Sequence, residues 1–490
     1  MALVRERSNL AKRIRTNLSD WSTLMPVLPG RGPRRRELYV AMRRLIETGL
    51  AQPGAKLPTT RDLAKRLGLS RAAAVAAFEM LVADGFVEAR IGAGTFVAAQ
   101  VPAVWERRAG PSGQRPASPA LPCELGVATL DDKTMRVFRG LLSRNLAQPG
   151  PEHFRYGDPR GGSKLREAIT AYLRAARGVR CDAEQIVVTT GTMHGLDLIV
   201  RTILKPGDAA WIEDPCYPLA KATLEAAGAR LIGVPVDGEG IDAAGGEKRG
   251  AEARLVYVTP SHQFPLGVAM TMRRRLALID WAKRNDAWIV EDDYDSEFRF
   301  SGPPLTALQG MDGADRVAYL GTFSKVLFPG IRIGYAVLPE ALLDRVLRLR
   351  TLSDRQPPTL VHGAVADFLN DGHFAAHLRR ARRRVQAARD GFVAALRQHC
   401  AGELDFAVPE HGLHLVARLA NASGDRDLVR RLFAEGVGAR ALSPMYLSAP
   451  ARQGLVLGFS GFGAVALESA AGRIGDVLRD FLKTSAPARA

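Results

Sequence analysis

Residues 36–98 divide into short stretches whose apolar positions recur with a helical period, followed by a pattern that reads as a hairpin. Leu38, Met42, Leu45 and Ile46 fall on one helix face, and Gly49 followed by Pro53-Gly54 ends that element. Thr60–Leu67 forms a second short helical pattern closed at Gly68. Ser70 is placed to cap a third, whose buried side is predicted to be Val75, Phe78, Leu81 and Val82. The turn Gly68-Leu69-Ser70 is short enough to set the two helices at a large angle, the arrangement that lets the second enter a major groove. Gly85–Arg90 and Gly94–Val97 predict two small strands around Ile91-Gly92-Ala93, a wing.

From Cys123 onward, apolar runs of strand length alternate with helical patterns, which predicts an α/β unit with a mainly parallel sheet covered by helices. The strands are expected at Gln185–Thr189, Ala209–Glu213, Leu255–Thr259, Ala287–Glu291, Val317–Gly321 and Ile331–Val337. The first five run into polar or glycine-bearing loops, where open sheets of this class gather ligand groups. From about residue 360 the pattern returns as helix, strand, helix and strand, a smaller carboxy-terminal subdomain. Residues 99–122 contain Gly110-Pro111-Ser112-Gly113 and Arg115-Pro116-Ala117-Ser118-Pro119 with few periodic apolar positions, the composition of a mobile linker. The expected division is therefore a head at 1–98, a linker at 99–122 and a body at 123–490.

Composition narrows the classes. The 490 residues are 47% hydrophobic and 24% charged, as in folded globular chains, and the formal net charge is +17. The first hundred residues hold 17 Lys and Arg against 8 Asp and Glu, so more than half of the excess lies in the first fifth of the chain. That placement suits a polyanion, although an anionic membrane surface would also attract it. No run of eighteen apolar residues predicts a spanning helix, and the opening Met-Ala-Leu-Val-Arg-Glu-Arg lacks the apolar core of a secretory signal. Cys123, Cys181, Cys216 and Cys400 lack metal-ligand spacing and are expected as reduced thiols in the cytoplasm, with no bound metal.

In the head, Arg61 and Arg71 begin successive helices and are the leading phosphate or base contacts, with Thr59, Thr60 and Ser70 as hydrogen-bonding neighbours. Each taken singly also fits a solvated surface residue or an ordinary cap. The run Gly49–Ala64, then Leu69-Ser70-Arg71, then Gly92-Ala93-Gly94-Thr95-Phe96-Val97 closely resembles the winged helix-turn-helix head of GntR-type bacterial regulators. The resemblance covers about sixty residues. It implies recognition of double-stranded operator DNA by the third helix, with help from Arg90 and the wing glycines Gly92 and Gly94. Ala72-Ala73-Ala74 departs from relatives that carry a Thr near the base edges.

In the body, Lys325 stands beside Thr322 and Ser324 and seven residues before Arg332, a layout suited to an aldehyde cofactor with a phosphate tail. A neutral lysine amine attacks an aldehyde carbon and holds it as an imine. Pyridoxal phosphate further needs a carboxylate at its ring nitrogen, a surface to stack on and donors for its phosphate. Asp292 at a strand end supplies the first, and Tyr294 faces the same cavity to donate to the ring oxygen. Tyr217 supplies the flat surface. Gly191-Thr192-Met193 lies between a strand and a helix, where backbone N–H groups meet phosphate, and Thr322, Ser324 and Arg332 add donors. Singly, Tyr217 also reads as a packed loop aromatic, Asp292 as a helix cap and Arg332 as half of a surface ion pair.

The ordered series Phe154–Gly161, Thr190-Gly191-Thr192, Glu213–Pro218, Thr259–Pro265, Glu291–Arg299 and Gly321–Lys325 resembles a fold-type I aminotransferase. With the head, nearly the whole chain is similar to the MocR subfamily of GntR regulators. The fold class so implied is multidomain: a winged helix-turn-helix plus an α/β fold-type I PLP-dependent aminotransferase-like domain. The resemblance implies that Lys325 carries pyridoxal 5'-phosphate, that Asp292, Tyr294 and Tyr217 meet its ring, that His262 is a further cofactor-binding position, and that Tyr156 reaches the phosphate of a neighbouring subunit. It implies a head-to-tail homodimer and a transcription regulator responding to an amine, an amino acid or the cofactor itself. A catalytically active aminotransferase is the alternative. Met193 stands where relatives commonly have Gln, and Leu455–Phe462 lacks the carboxylate-binding Arg of aminotransferases, so recognition of an amino acid by that route is not expected. His414 is expected as a satisfied strand histidine and the run Arg379–Arg384 as a solvated face.

Overall fold

The computed structural model describes residues 26, 28, 34–100, 119–129, 131–250, 252–311, 315–420 and 424–485. The chain forms two compact units, residues 1–117 and 118–490. The expected linker falls mostly on 101–118, outside the described residues. Its last residues are part of the second unit, where the Pro122 carbonyl accepts from Gly438 N at 2.7 Å.

In the head, α1 (Arg34–Glu47), α2 (Thr60–Leu67) and α3 (Arg71–Ala83) precede the antiparallel pair β1 (Val87–Arg90) and β2 (Gly94–Val97). Thr59 and Ser70 cap α2 and α3 by accepting from Asp62 N and Ala73 N, and Gly68 closes α2 in the left-handed region at φ 62°. Leu38, Met42, Leu63, Ala74, Phe78, Leu81 and Val97 form the core. The inward face of α3 differs from the expected one: Val75 is half-buried and Val82 exposed, while Ala74 and Ala77 are buried. The helix Arg-Ala-Ala-Ala-Val-Ala-Ala-Phe is apolar almost all round, so periodicity could not choose the stripe. The small alanines let α1 and α2 approach closely.

The body opens with α4 (Asp132–Ala147), α5 (Ser163–Arg177), β3 (Ile186–Thr189), α6 (Thr192–Ile203), β4 (Ala209–Asp214), α7 (Pro218–Ala226), β5 (Arg230–Asp237), β6 (Gly240–Ile241) and α8 (Ala243–Gly250). It continues with β7 (Leu255–Val258), α9 (Met272–Arg284), β8 (Trp288–Asp293), β9 (Val317–Thr322), β10 (Gly334–Val337), α10 (Glu340–Ser353), α11 (His362–Asn370) and α12 (His373–His399). The smaller subdomain adds β11 (Leu404–Asp405), β12 (His414–Leu419), α13 (Asp425–Ala434), β13 (Arg440–Ala441), β14 (Gly454–Gly458) and α14 (Ala464–Ser485).

Strands β3 to β10 form one eight-stranded sheet in the order β3-β10-β9-β8-β7-β4-β5-β6. The run from β9 to β5 is parallel, as the buried aliphatic strands predict, and its helices cover both faces. β10 pairs antiparallel with both β3 and β9. It begins at Gly334, later than the expected Ile331, because Pro329–Ile331 makes a 3-10 turn and Arg332 takes a left-handed φ of 50°. The smaller sheet, β11-β12-β14-β13, is antiparallel throughout. All four cysteines are buried and free, and desolvation raises Cys181 to about 11 and Cys123, Cys216 and Cys400 to about 12. Among the described residues no helix is long and apolar enough to cross a membrane.

Candidate cofactor site and nucleic-acid interface

Parallel strands end on one edge of a sheet, so the residues that follow them collect there. In the body this edge opens into a cavity of about 450 Å³ lined by Gly191, Thr192, Met193, Tyr217, Asp292, Tyr294, Thr322, Ser324, Lys325 and Arg332. Ten of the twelve positions expected around the cofactor therefore share one space. Asp292 sits at the end of β8, and its Oδ2 accepts from the Tyr257 hydroxyl at 2.6 Å. Its Oδ1 is buried without a partner. Burial raises the carboxyl to about 7, with Tyr257 opposing. Burial likewise lowers the Lys325 amine, against the pull of Asp295 and Asp292, which enlarges the neutral fraction that attack requires. A Cβ on Gly126 would lie 2.8 Å from Lys325 Nζ, so the amine rests against bare backbone.

Gly191, Thr322, Ser324 and Arg332 bring further donors to the same cavity. Gly191 takes a φ of 127° and starts α6 without a side-chain cap, leaving the first N–H groups of the helix unclaimed by a capping side chain. The Arg332 guanidinium lies 3.6 Å from where a Gly191 Cβ would be. Thr322 Oγ1 accepts from Ser324 N at 3.0 Å, which fixes the turn carrying both hydroxyls. Tyr217 follows the β4 end, whose Asp214 accepts from Leu447 N, Ser448 N and Ala449 N at 2.7–2.8 Å and so ties the loop to the smaller subdomain. The Tyr217 ring meets Phe264 edge-on at 5.2 Å.

Two expected positions lie elsewhere. Tyr156 is 71% exposed and stacks under Arg355 at 3.7 Å, away from its own chain's cavity. His262 is buried behind Tyr294 and does not line the cavity. Its Nδ1 is 2.8 Å from Asp295 Oδ2 and 3.1 Å from Tyr294 Oη.

In the head, the Thr59 and Ser70 hydroxyls are engaged as helix caps, while Thr60 is half-buried and Arg61 and Arg71 are exposed in the first turns of α2 and α3. Arg90 lies over the Phe96 ring at 4.7 Å and faces Glu88 at 3.7 Å. Gly92 and Gly94, with φ of 72° and 112°, form the wing turn, and Ile91 at its tip is fully exposed. Exposed cations at two helix starts and on the wing are what a phosphate-contacting module needs.

The body's donor set fits pyridoxal phosphate. A buried carboxylate oxygen without a partner, a helix start without a side-chain cap, a guanidinium and an amine of lowered basicity line one cavity, the types of group that the ring nitrogen, phosphate and aldehyde require. Residues 125–455 match the family "Aminotransferase class I and II" and residues 34–97 match "Bacterial regulatory proteins, gntR family". The chain is 39% identical over 447 residues to the "Probable rhizopine catabolism regulatory protein MocR" of Rhizobium meliloti, covering 88% of this chain and 90% of that protein. The chain belongs to the MocR subfamily of GntR-type transcription regulators. It is also 32% identical to the pyridoxine biosynthesis transcriptional regulator PdxR of Corynebacterium glutamicum, over 86% of this chain and 91% of that one. A kynurenine aminotransferase structure from Pyrococcus horikoshii, in complex with PMP, superposes with a TM-score of 0.69 at 26% identity, covering 75% of this chain and 92% of that one. This MocR-type regulator is thus a pyridoxal-phosphate-dependent DNA-binding protein.

Sequence reasoning missed several groups in the MocR-type cavity. Tyr257, the phenol bonded to Asp292, was legible as the one aromatic in the aliphatic strand beside β8. Thr259 and Phe264 lie in the Thr259–Pro265 motif without having been assigned to the cavity, while Gly126 and Leu413 carry no local signal. Arg440, exposed on β13 at the rim of the cavity, supplies an arginine from a strand other than the apolar Leu455–Phe462 stretch. His414 both lines the cavity and pairs through Nε2 with the Pro265 carbonyl at 3.0 Å.

Proposed function

We propose that this chain is a homodimeric regulator that carries pyridoxal phosphate on Lys325 and changes its hold on operator DNA when a carboxylate-bearing amine, or the cofactor itself, enters the body. The observation that carries the reading is the convergence of Lys325, Asp292, Tyr217, Arg332 and the uncapped start of α6 on one cavity. Bound pyridoxal phosphate supplies an electrophilic carbon and an electron sink for amines. Lys325, with its basicity lowered by burial, offers the attacking nitrogen. Asp292 offers Oδ1 as acceptor for a ring N–H, a pairing that favours its charged form against the burial that raises it to about 7. Arg332 and the N–H groups of Thr192 and Met193 orient the phosphate, and Tyr217 and Phe264 shield one side of the cavity from water. Arg440 at the rim supports a carboxylate on the incoming amine.

Residues 1–98 act as the head, 99–122 as the tether and 123–490 as the body. The head binds DNA through Arg61, Arg71 and Arg90, with Thr60, Gly92 and Gly94 shaping the contact and Thr59 and Ser70 holding the helix starts. Exposed Phe154, Tyr156, Leu352 and Leu360 support a face covered by a second copy, through which Tyr156 reaches the partner's phosphate. The cytoplasm, where the operator lies, is the compartment of action. Ligand binding alters DNA affinity only if the two states of the regulator bind that ligand with different free energies.

Absorption spectra of the full chain with pyridoxal phosphate, with and without Lys325→Ala, test the reading alongside operator retention. A visible band and a one-cofactor mass gain in wild type, both lost in the variant, are expected. A colourless wild-type protein refutes it. The complete catalytic set favours a second reading, an active aminotransferase, and many equivalents of keto acid per subunit would establish that instead.

A further inference from the structure

Behind the cavity wall lies a buried group that the cofactor reading leaves unused. His262 and Asp295 are 2% and 1% exposed, and the imidazole sits in a slot between two glycines. A Cβ on Gly412 would lie 1.9 Å from His262 Cε1, and one on Gly267 would lie 3.3 Å from Nε2, so only glycine at these positions leaves room for the ring. His262, Asp295 and His414 bring ligand atoms within 4.8 Å of one another. A metal is nevertheless not indicated, since His262 Nδ1 is engaged by Asp295, His414 Nε2 by the Pro265 carbonyl, and Arg177 and Arg299 border the adjoining cleft.

The hydrogen bonds have a direction. A carboxylate only accepts, so Asp295, once ionised, selects the tautomer with the proton on Nδ1. That N–H also faces Tyr294 Oη at 3.1 Å. The phenol oxygen therefore receives a hydrogen bond and cannot give its own proton to the same nitrogen. In the cofactor-free chain that proton goes to the His262 carbonyl at 3.0 Å, a neutral acceptor that a more negative oxygen displaces.

We propose that His262, oriented by Asp295, is a positioning residue that makes Tyr294 a hydrogen-bond donor to the ring oxygen of the cofactor. The inference rests on the reading that pyridoxal phosphate occupies the cavity with its ring oxygen at Tyr294. An amide in place of Asp295 donates to Nδ1 and moves the imidazole proton to Nε2. Tyr294 then donates backwards into His262, and the ring oxygen loses its donor. Without that donor the ring oxygen holds the proton of the neighbouring Lys325 nitrogen more tightly, so the colour change on alkalinisation moves to higher pH. The other charged or titratable groups around Tyr294 and Lys325 are Asp292, Asp293, Glu213, His411, His414 and Arg440, and the substitution leaves all of them in place.

Full-length wild type, Asp295→Asn, Tyr294→Phe and the double variant, each loaded with pyridoxal phosphate, are compared by the pH midpoint of the visible absorption. Tyr294→Phe is expected to raise it by about one unit, equivalent to about 1.4 kcal/mol. The same substitution in the Asp295→Asn background, where the lost charge that raises Lys325 is common to both members of the pair, is expected to leave it unmoved. A Tyr294→Phe shift of equal size in both backgrounds overturns the proposal while leaving cofactor binding intact. Failure of the wild type to take up the cofactor overturns the proposal together with the reading it rests on. Histidine ¹⁵N spectra of the cofactor-free wild type, at a pH well above the value of about 7 that burial gives Asp295, provide a readout independent of any variant. A protonated Nδ1 at His262 is expected there, and an Nε2 proton overturns the assignment.

Discussion

Asp292→Asn is predicted to move cofactor affinity and cofactor-free stability in opposite directions. Burial raises the Asp292 carboxyl from 3.8 to about 7. A carboxyl whose folded value lies above its unfolded value binds more protons folded than unfolded between those limits. Its ionisation therefore costs the fold nothing below 3.8, and the full cost is reached above about 7. At about 1.4 kcal/mol per pH unit that cost is at most about 4 kcal/mol. The asparagine amide keeps an acceptor for Tyr257 and leaves an unpaired N–H where Oδ1 now has no partner, returning about 2 kcal/mol of the gain. The net expectation is a cofactor-free variant about 2 kcal/mol more stable than wild type at alkaline pH, with the gain shrinking as pH falls toward 3.8. Loss of a charge-assisted bond to the ring nitrogen, about 1.5–3 kcal/mol, weakens pyridoxal phosphate binding by about ten- to a hundredfold. Denaturant unfolding of the cofactor-free proteins across this pH range, paired with absorbance titrations, measures both. A variant less stable than wild type at alkaline pH, or one that binds the cofactor as tightly, would refute the reasoning.

Three further substitutions probe separate parts of the molecule. Gly126→Ala forces a side chain into a φ of 83° and to 2.8 Å from Lys325 Nζ; it should cost about 1–2 kcal/mol in unfolding free energy and slow appearance of the visible band. Arg71→Ala should lower the slope of log operator affinity against log salt by about one in retention assays, with the cofactor spectrum unchanged. Arg440→Ala should leave cofactor uptake intact while weakening spectral titration by a carboxylate-bearing amine about tenfold or more, with little effect on the matching amine that lacks the carboxylate.

Much of this was legible before any coordinates, for identifiable reasons. Buried parallel strands are continuous aliphatic runs, so β4, β7, β8 and β9 announce themselves, and ligand groups placed just past their ends, Asp292 and Thr322 among them, follow from topology. What stayed hidden depends on contacts distant in sequence. Tyr257 meets Asp292 only because two parallel strands are in register, and Arg440 reaches the rim because the smaller subdomain folds back onto the sheet. His262 lies within a recognisable motif, yet only the packed structure shows it lying behind Tyr294 and not in the cavity. In α3 the alanine-rich sequence left the inward stripe undetermined, which is why Val82 was misplaced.

The burial of every thiol has a practical consequence. With Cys123, Cys181, Cys216 and Cys400 shielded and held far above neutrality, none offers a reactive thiolate to an alkylating dye or mild oxidant under ordinary conditions. A single cysteine introduced at an exposed site such as Ile91 on the wing tip would accept a fluorophore selectively in the otherwise native protein. The native chain is in effect a silent background for optical tracking of the wing as operator and effector come and go.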